Sequence, residues 1–360
     1  MVAVATAPST STASAARPAR DRYVDLLRAG SLLVVVAWHW VFTVIVWKAD
    51  GPHASNPLGT TRGLWMLTWL LQVMPVFFWV GGFVHAGTYE RSASYGAFLR
   101  KRLGRLLVPA LVAVVAVGVL GLVAAQLLPG APVARSVVLV LSPLWFLGVY
   151  VLLVLATPVA AWAHRRFGEV ALVALAGLAA MADVARFRFD VPFASVLAWV
   201  AVWGFAHQLG FDYERLVAAP RRFAWSLALG GLFALVALTN TGHYPKSMVG
   251  VPGEAISNMA PPTVCIVALC VLQVGVALLV RPAAVRLLGQ SRVVDWVSAN
   301  SMPLYLWHGV GFALAYAIVR LVGVVDVPSS TTVEWWLQRP LWVLLPVLTT
   351  RPLLALARRL

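Results

Sequence analysis

The 360-residue chain is 61% hydrophobic and 11% charged, with a mean hydropathy of +0.85. That balance excludes a soluble domain of this size and places the chain in lipid. The formal net charge of +15 does not mark a nucleic-acid binder, because arginines punctuate long apolar runs and form no solvated basic patch; it reads as membrane topology and as a candidate for phosphate binding.

Residues 1–22 are rich in Ala, Ser, Thr and Pro, end in Arg17, Arg20 and Arg22, and lack the basic, apolar, then small order of a signal peptide. They are expected to form a disordered cytoplasmic tail before a transmembrane domain over 23–360. About 20 apolar residues at ~1.5 Å each cross a ~30 Å hydrocarbon core. On that criterion spans fall near 24–48, 62–86, 104–128, 137–163, 168–185, 192–210, 223–240, 262–280, 300–323 and 335–357. The predicted fold is therefore all-α, a polytopic membrane bundle of about ten transmembrane helices. Asp183, Arg186, Arg188 and Asp190 crowd the link between the fifth and sixth spans, and Thr241 to Pro261 reads as an irregular cap. With the N-terminus inside, Arg91, Arg100, Lys101, Arg102, Arg105, Arg165, Arg166, Arg215, Arg221, Arg222, Arg281, Arg286 and Arg292 all fall on the cytoplasmic side, which predicts both termini there. No internal repeat, interrupted helix in repeated positions or separate soluble domain is apparent, and Cys265 and Cys270 read as small apolar fillers.

The first span carries Arg28 and His39, eleven residues apart. At ~100° per residue that is three turns plus about 20°, so both project from one helix face, about 16 Å apart along it. Arg28 is expected at the cytoplasmic boundary and His39 near mid-membrane, where an ionisable group points to function. A buried imidazole also serves for helix packing, and Asp25 is a natural i, i+3 partner for Arg28. Arg102 and Arg105, three apart, can grip a phosphate with two guanidinium forks or simply mark a cytoplasmic boundary. Gly81 and Gly82 permit close helix approach, His85 reads as an interface residue, and Tyr305 and His308 share a face that suits either substrate lining or a structural hydrogen bond. The sequence offers no metal-ligand pair on a helix and no Gly-rich phosphate loop.

Taken together these segments resemble the membrane-integral acyltransferase 3 family. The likeness rests on Arg28 and His39 preceded by Asp25-x-Leu27, the Phe77 to Phe83 run, Arg102-x-x-Arg105 followed by Leu-Leu-Val-Pro, Pro303-Leu-Tyr-Leu-Trp-His308, and Leu144 to Leu147. The resemblance implies a transferase that moves an acyl group, commonly acetyl, from acyl-coenzyme A (acyl-CoA). His39 would be its catalytic histidine with Arg28 as motif partner, while Arg102 and Arg105 would engage the acyl-CoA from the cytoplasm. It also suggests that Asp25, Trp145, Tyr305 and His308 line the substrate site. The expected acceptor is a hydroxyl or amine on an envelope glycan, a lipid or a secreted small molecule, and no metal or nucleic acid is expected. Gly81 stands where many members have serine, and Trp145 to Tyr150 lacks the glutamate found in the glycan-modifying subgroup. The composition fits a bacterial inner membrane. The rival reading is a multi-span transporter or flippase.

Overall fold

The computed structural model describes residues 21–241, 243–323 and 327–358. Of the expected tail, residues 1–20 lie outside the described residues. Residues 21 and 22 belong to the first helix: the Asp21 carboxylate accepts the Tyr23 and Val24 amide hydrogens and caps α1 (Arg22–Phe42).

That helix stops at Phe42, where the predicted span reached 48. Val44–Lys48 (β1) instead pairs antiparallel with Gly51–Ser55 (β2), Val44 opposite Ser55 and Lys48 opposite Gly51. Val44, Ile45, Val46 and Trp47 are β-branched or aromatic, so the run that hydropathy counted as helix suits a strand. Gly51, at φ 117°, must be glycine: a Cβ there would meet Pro132 at 2.5 Å.

The second span is interrupted. α2 (Trp65–Leu71) ends at Gln72 and α3 (Met74–Glu90) restarts with Pro75 in its first turn, where proline's missing N–H is tolerated but a continuous helix from Leu71 is not. α4 (Tyr95–Leu127) is followed by a second interruption: α5 (Val133–Leu141) and α6 (Leu144–Phe167) are separated by Ser142 and Pro143. The spans predicted as single runs near 62–86 and 137–163 are thus each broken beside a proline. The remaining elements are α7 (Glu169–Phe189), α8 (Ala194–Leu209), α9 (Tyr213–Ala218), α10 (Arg221–Asn240), α11 (Val264–Leu288), α12 (Arg292–Ala299), α13 (Ser301–Val322), α14 (Val333–Leu337) and α15 (Leu341–Ala357). Among the described residues, nine helical stretches are long and apolar enough to cross a membrane. The tenth predicted span is the shorter α15, whose 17 residues rise about 26 Å.

Helices approach closely where glycines remove side chains. A Cβ on Gly231 would lie 2.3 Å from Leu272 N, and one on Gly275 2.3 Å from Ala228 N, so α10 and α11 pack backbone to backbone. Gly82 makes the contact expected of it, with a Cβ position 1.9 Å from the His207 carbonyl oxygen. Cys265 and Cys270 are buried, unpaired and packed in the apolar core with Phe78, Trp79 and Trp203. Asp183 turns inward from α7 and is buried: its carboxylate accepts the Tyr244 hydroxyl at 3.0 Å and the Val264 amide at 2.8 Å. It thereby fixes both the start of α11 and the loop before it. That loop folds on itself through Asn258, whose amide donates to the Pro245 and Ser247 carbonyls.

Candidate active site

His39 lies in the last turn of α1, about 26 Å along the axis from Arg22 and about 5 Å from Phe42 at ~1.5 Å per residue. The predicted span continued to 48, whereas the strand takes over after Phe42 and leaves His39 in the helix's last turn. Its Nδ1 lies 2.8 Å from His308 Nε2, with the two rings stacked at 14° and centroids 5.1 Å apart.

The hydrogen-bond chain fixes the proton positions. His308 Nδ1 lies 2.7 Å from the Tyr305 carbonyl oxygen, which can only accept, so that nitrogen carries the proton. In a neutral His308, Nε2 is then an acceptor, and His39 must donate to it from Nδ1. What remains is His39 Nε2 with a free lone pair, the form a general base requires.

Neighbouring bonds hold this pair in place. The Tyr305 hydroxyl donates to the Pro143 carbonyl at 2.7 Å, which also accepts the Phe146 amide at the start of α6. Trp40 Nε1 donates to the His308 carbonyl at 3.1 Å. At the end of α1, Arg339 donates to the Val41 carbonyl at 3.2 Å and to Trp335 O at 2.7 Å, with its guanidinium 3.6 Å from the Trp335 ring. Burial lowers the Arg339 pKa to about 10, yet the group stays cationic at neutral pH and complements the negative end of the helix.

Two cavities meet at His39. The first, about 240 Å³, runs along the α1 face formed by Ser31, Val35, Trp38 and His39, with Gln72, Phe77, Trp145, Phe146 and Tyr305 opposite. Val249 and Met259 of the irregular loop close it from above, and Met259 accepts a hydrogen bond from Gln72 Nε2 at 2.9 Å. The second, about 610 Å³, lies on the other side of His39 and His308, between the hairpin, the α4–α5 connection and α13.

Arg28 precedes Ser31 by one turn on the same face of α1, at the opposite end from the hairpin. It is within electrostatic range of His85 and Arg102, and Arg102 in turn of Arg91 and Arg105. These arginines form one cationic end of the bundle. Arg102 is half-buried and already engaged, donating to the Val84 carbonyl at 2.8 Å and to the Thr88 hydroxyl, whereas Arg105 is exposed. The pair therefore splits: one guanidinium is held against α3 and the other is free toward the surface.

Trp145 and Tyr305 line the first cavity and His308 the second, while Asp25 is buried in the first turn of α1 and borders neither. His85 is not an interface residue as expected but fully buried, with Nδ1 3.0 Å from His207 Nε2 and Nε2 3.0 Å from the Tyr150 hydroxyl. This second histidine pair links α3, α6 and α8 and escaped the sequence reading. His207 interrupts an apolar run just as His39 does, and the same reasoning about depth would have marked it. Among the described residues, no three His, Cys, Asp or Glu side chains gather to hold a metal ion.

A helical bundle with nine stretches long and apolar enough to cross a membrane, and with a buried histidine pair between two internal chambers, belongs to the class of polytopic membrane proteins. The sequence model of the acyltransferase 3 family, described as an acyltransferase domain, matches residues 21–351. The chain belongs to that family and is a multi-pass membrane acyltransferase by membership. Neither a curated protein nor a solved structure matches the chain.

Proposed function

We propose that the protein transfers a small acyl group, acetyl foremost, from acyl-CoA to a hydroxyl or amine in the bacterial inner membrane, with both termini cytoplasmic and residues 1–20 a cytoplasmic tail. The observation that carries this reading is the placement of His39 in the walls of two cavities. The cationic cluster of Arg28, Arg102 and Arg105 suits the phosphates of CoA, and the narrow first cavity, beginning one turn from Arg28, suits its thioester arm. The acceptor then occupies the second cavity.

In this scheme His39 Nε2 takes the proton of the acceptor hydroxyl as its oxygen attacks the thioester carbonyl. The His39 imidazolium is stabilised by its Nδ1–H bond to His308. Collapse of the tetrahedral intermediate breaks the carbon–sulfur bond, and the departing thiolate takes the proton from His39 to give free CoA. Because both cavities reach one imidazole, donor and acceptor can be held together, and no acyl-enzyme is needed.

The two interrupted helices favour a second reading, since broken helices lining polar pathways also serve transporters. Release of CoA from acetyl-CoA by the protein in nanodiscs, with an envelope glycan and lipid extract as acceptor, separates them. The acyltransferase reading expects turnover that His39→Ala lowers by about 10²- to 10⁴-fold. Binding of neither CoA nor acetyl-CoA by the folded wild type would leave the transporter.

A further inference from the structure

The second cavity differs in chemistry from the first. Its described walls are apolar, from Ile45 and Trp47 in the hairpin, Leu139 and Val140 in α5, and Phe312 and Ala313 in α13. The polar groups on this surface are largely spent within the protein. Ser136 donates to the Pro132 carbonyl, Ser142 to the Leu139 carbonyl, and Trp47 Nε1 to the Tyr316 hydroxyl at 2.8 Å. Among the described lining residues there is no carboxylate, and the charged one is Arg320, toward the far end of α13. Polar function is thus concentrated at one end, on His39 and His308.

A polysaccharide segment fits such a chamber badly, since each hydroxyl buried without a partner loses its hydration. Its volume of about 610 Å³ lies in the range that encloses a drug-sized ligand, far more than a small acyl group requires. The rim includes Leu128 and Leu321, 57% and 87% exposed at the ends of α4 and α13, where a membrane-embedded chain meets lipid. The hairpin lies across the same end, tied to α13 by the Trp47–Tyr316 bond.

We infer that the acceptor is a lipophilic alcohol, neutral or anionic, whose apolar body fills the second cavity and whose hydroxyl is presented to His39. Arg320 sets the charge preference, since a cationic amphiphile would meet it unfavourably. This rests on the reading of His39 as the transfer centre, but its test does not depend on turnover.

The probe is a ten-carbon primary alcohol carrying a photoactivatable diazirine, applied to the protein in nanodiscs, with labelled residues mapped by peptide mass spectrometry. Residues 309–320 of α13 are expected to be labelled at least fivefold above Phe233, a lipid-facing residue of α10 that is 76% exposed. Ala313→Trp, or the milder Ala317→Phe at the cavity wall should the first fold poorly, removes that excess. Unlabelled decanol competes, and methyl glucoside does not. Labelling no greater than at Phe233, or unaffected by a folded filling variant, overturns the inference. Displacement by octanoyl-CoA but not by acetyl-CoA also overturns it, because the chamber would then hold the acyl chain of the donor. Failure of the transferase reading itself shows separately, as absent CoA release.

Discussion

Replacing His308 tests whether the histidine pair works as the geometry indicates. In the resting state His39 Nδ1–H donates to a neutral imidazole, a bond that contributes about 0.5–1.5 kcal/mol. When His39 takes a proton the same bond becomes charge-assisted, about 1.5–3 kcal/mol. The surplus of about 1–1.5 kcal/mol appears only as charge develops, so it lowers the barrier by roughly tenfold in rate. His308→Ala also frees the His39 tautomer, and the expected loss in kcat is about 10- to 100-fold, with donor KM nearly unchanged. His308→Gln places an amide oxygen where Nε2 was and recovers part of that loss, because an acceptor is what His39 Nδ1 requires. The assay is steady-state CoA release by wild type, both variants and His39→Ala in nanodiscs, each checked for monodispersity, together with pH profiles of kcat. Wild-type kcat in His308→Ala would refute a positioning role. A folded His308→Gln as inactive as His39→Ala would show that His308 must itself carry a proton.

Arg28→Ala and Arg102→Ala are each expected to weaken CoA binding by about tenfold, the scale of one charge-assisted contact, measured by calorimetry with CoA alone. Because Arg102 also binds Thr88, Thr88→Val serves as control, and an unchanged affinity in both arginine variants would remove the cationic end from donor binding. Gly275→Ala forces a Cβ against Ala228 N and should destabilise the bundle by about 1–3 kcal/mol, lowering the thermal midpoint in detergent. Gly230→Ala meets open space on α10 and should be neutral or stabilising by up to about 1 kcal/mol, so equal effects would contradict the packing account. Direct transfer predicts no burst of CoA release in rapid-quench experiments without acceptor; a stoichiometric burst would mean an acyl-imidazole intermediate at His39.

The parts legible in the sequence were those written in local periodicity. The spans predicted near 223–240, 262–280 and 300–323 follow from apolar length alone and correspond to Arg221–Asn240, Val264–Leu288 and Ser301–Val322. The shared face of Arg28 and His39 is a property of the helix and survives its shortening at Phe42. What hydropathy cannot distinguish is a strand from a helix within an apolar stretch, and so Val44 to Trp47 was absorbed into the first span. That error matters for function: the hairpin it hid is a wall of the second cavity, and the end of α1 at Phe42 puts His39 in the helix's last turn.

The rest of the site is made of contacts between residues far apart in the chain, which no window of sequence contains. His39 meets His308 across 269 positions, and Arg339 reaches the Val41 carbonyl across 298. Pro75 and Pro143 were visible, but their consequence depends on tertiary structure. In lipid a backbone group outside the helix ladder must find a partner or line a cavity, and here the Pro143 carbonyl takes both the Phe146 amide and the Tyr305 hydroxyl while Gln72 borders the first chamber. Both interruptions therefore fall beside His39, where they open space without leaving the bundle unsatisfied. Gln72 at the first break lines the chamber beside His39, and Pro143 at the second anchors Tyr305, whose own carbonyl sets the His308 tautomer.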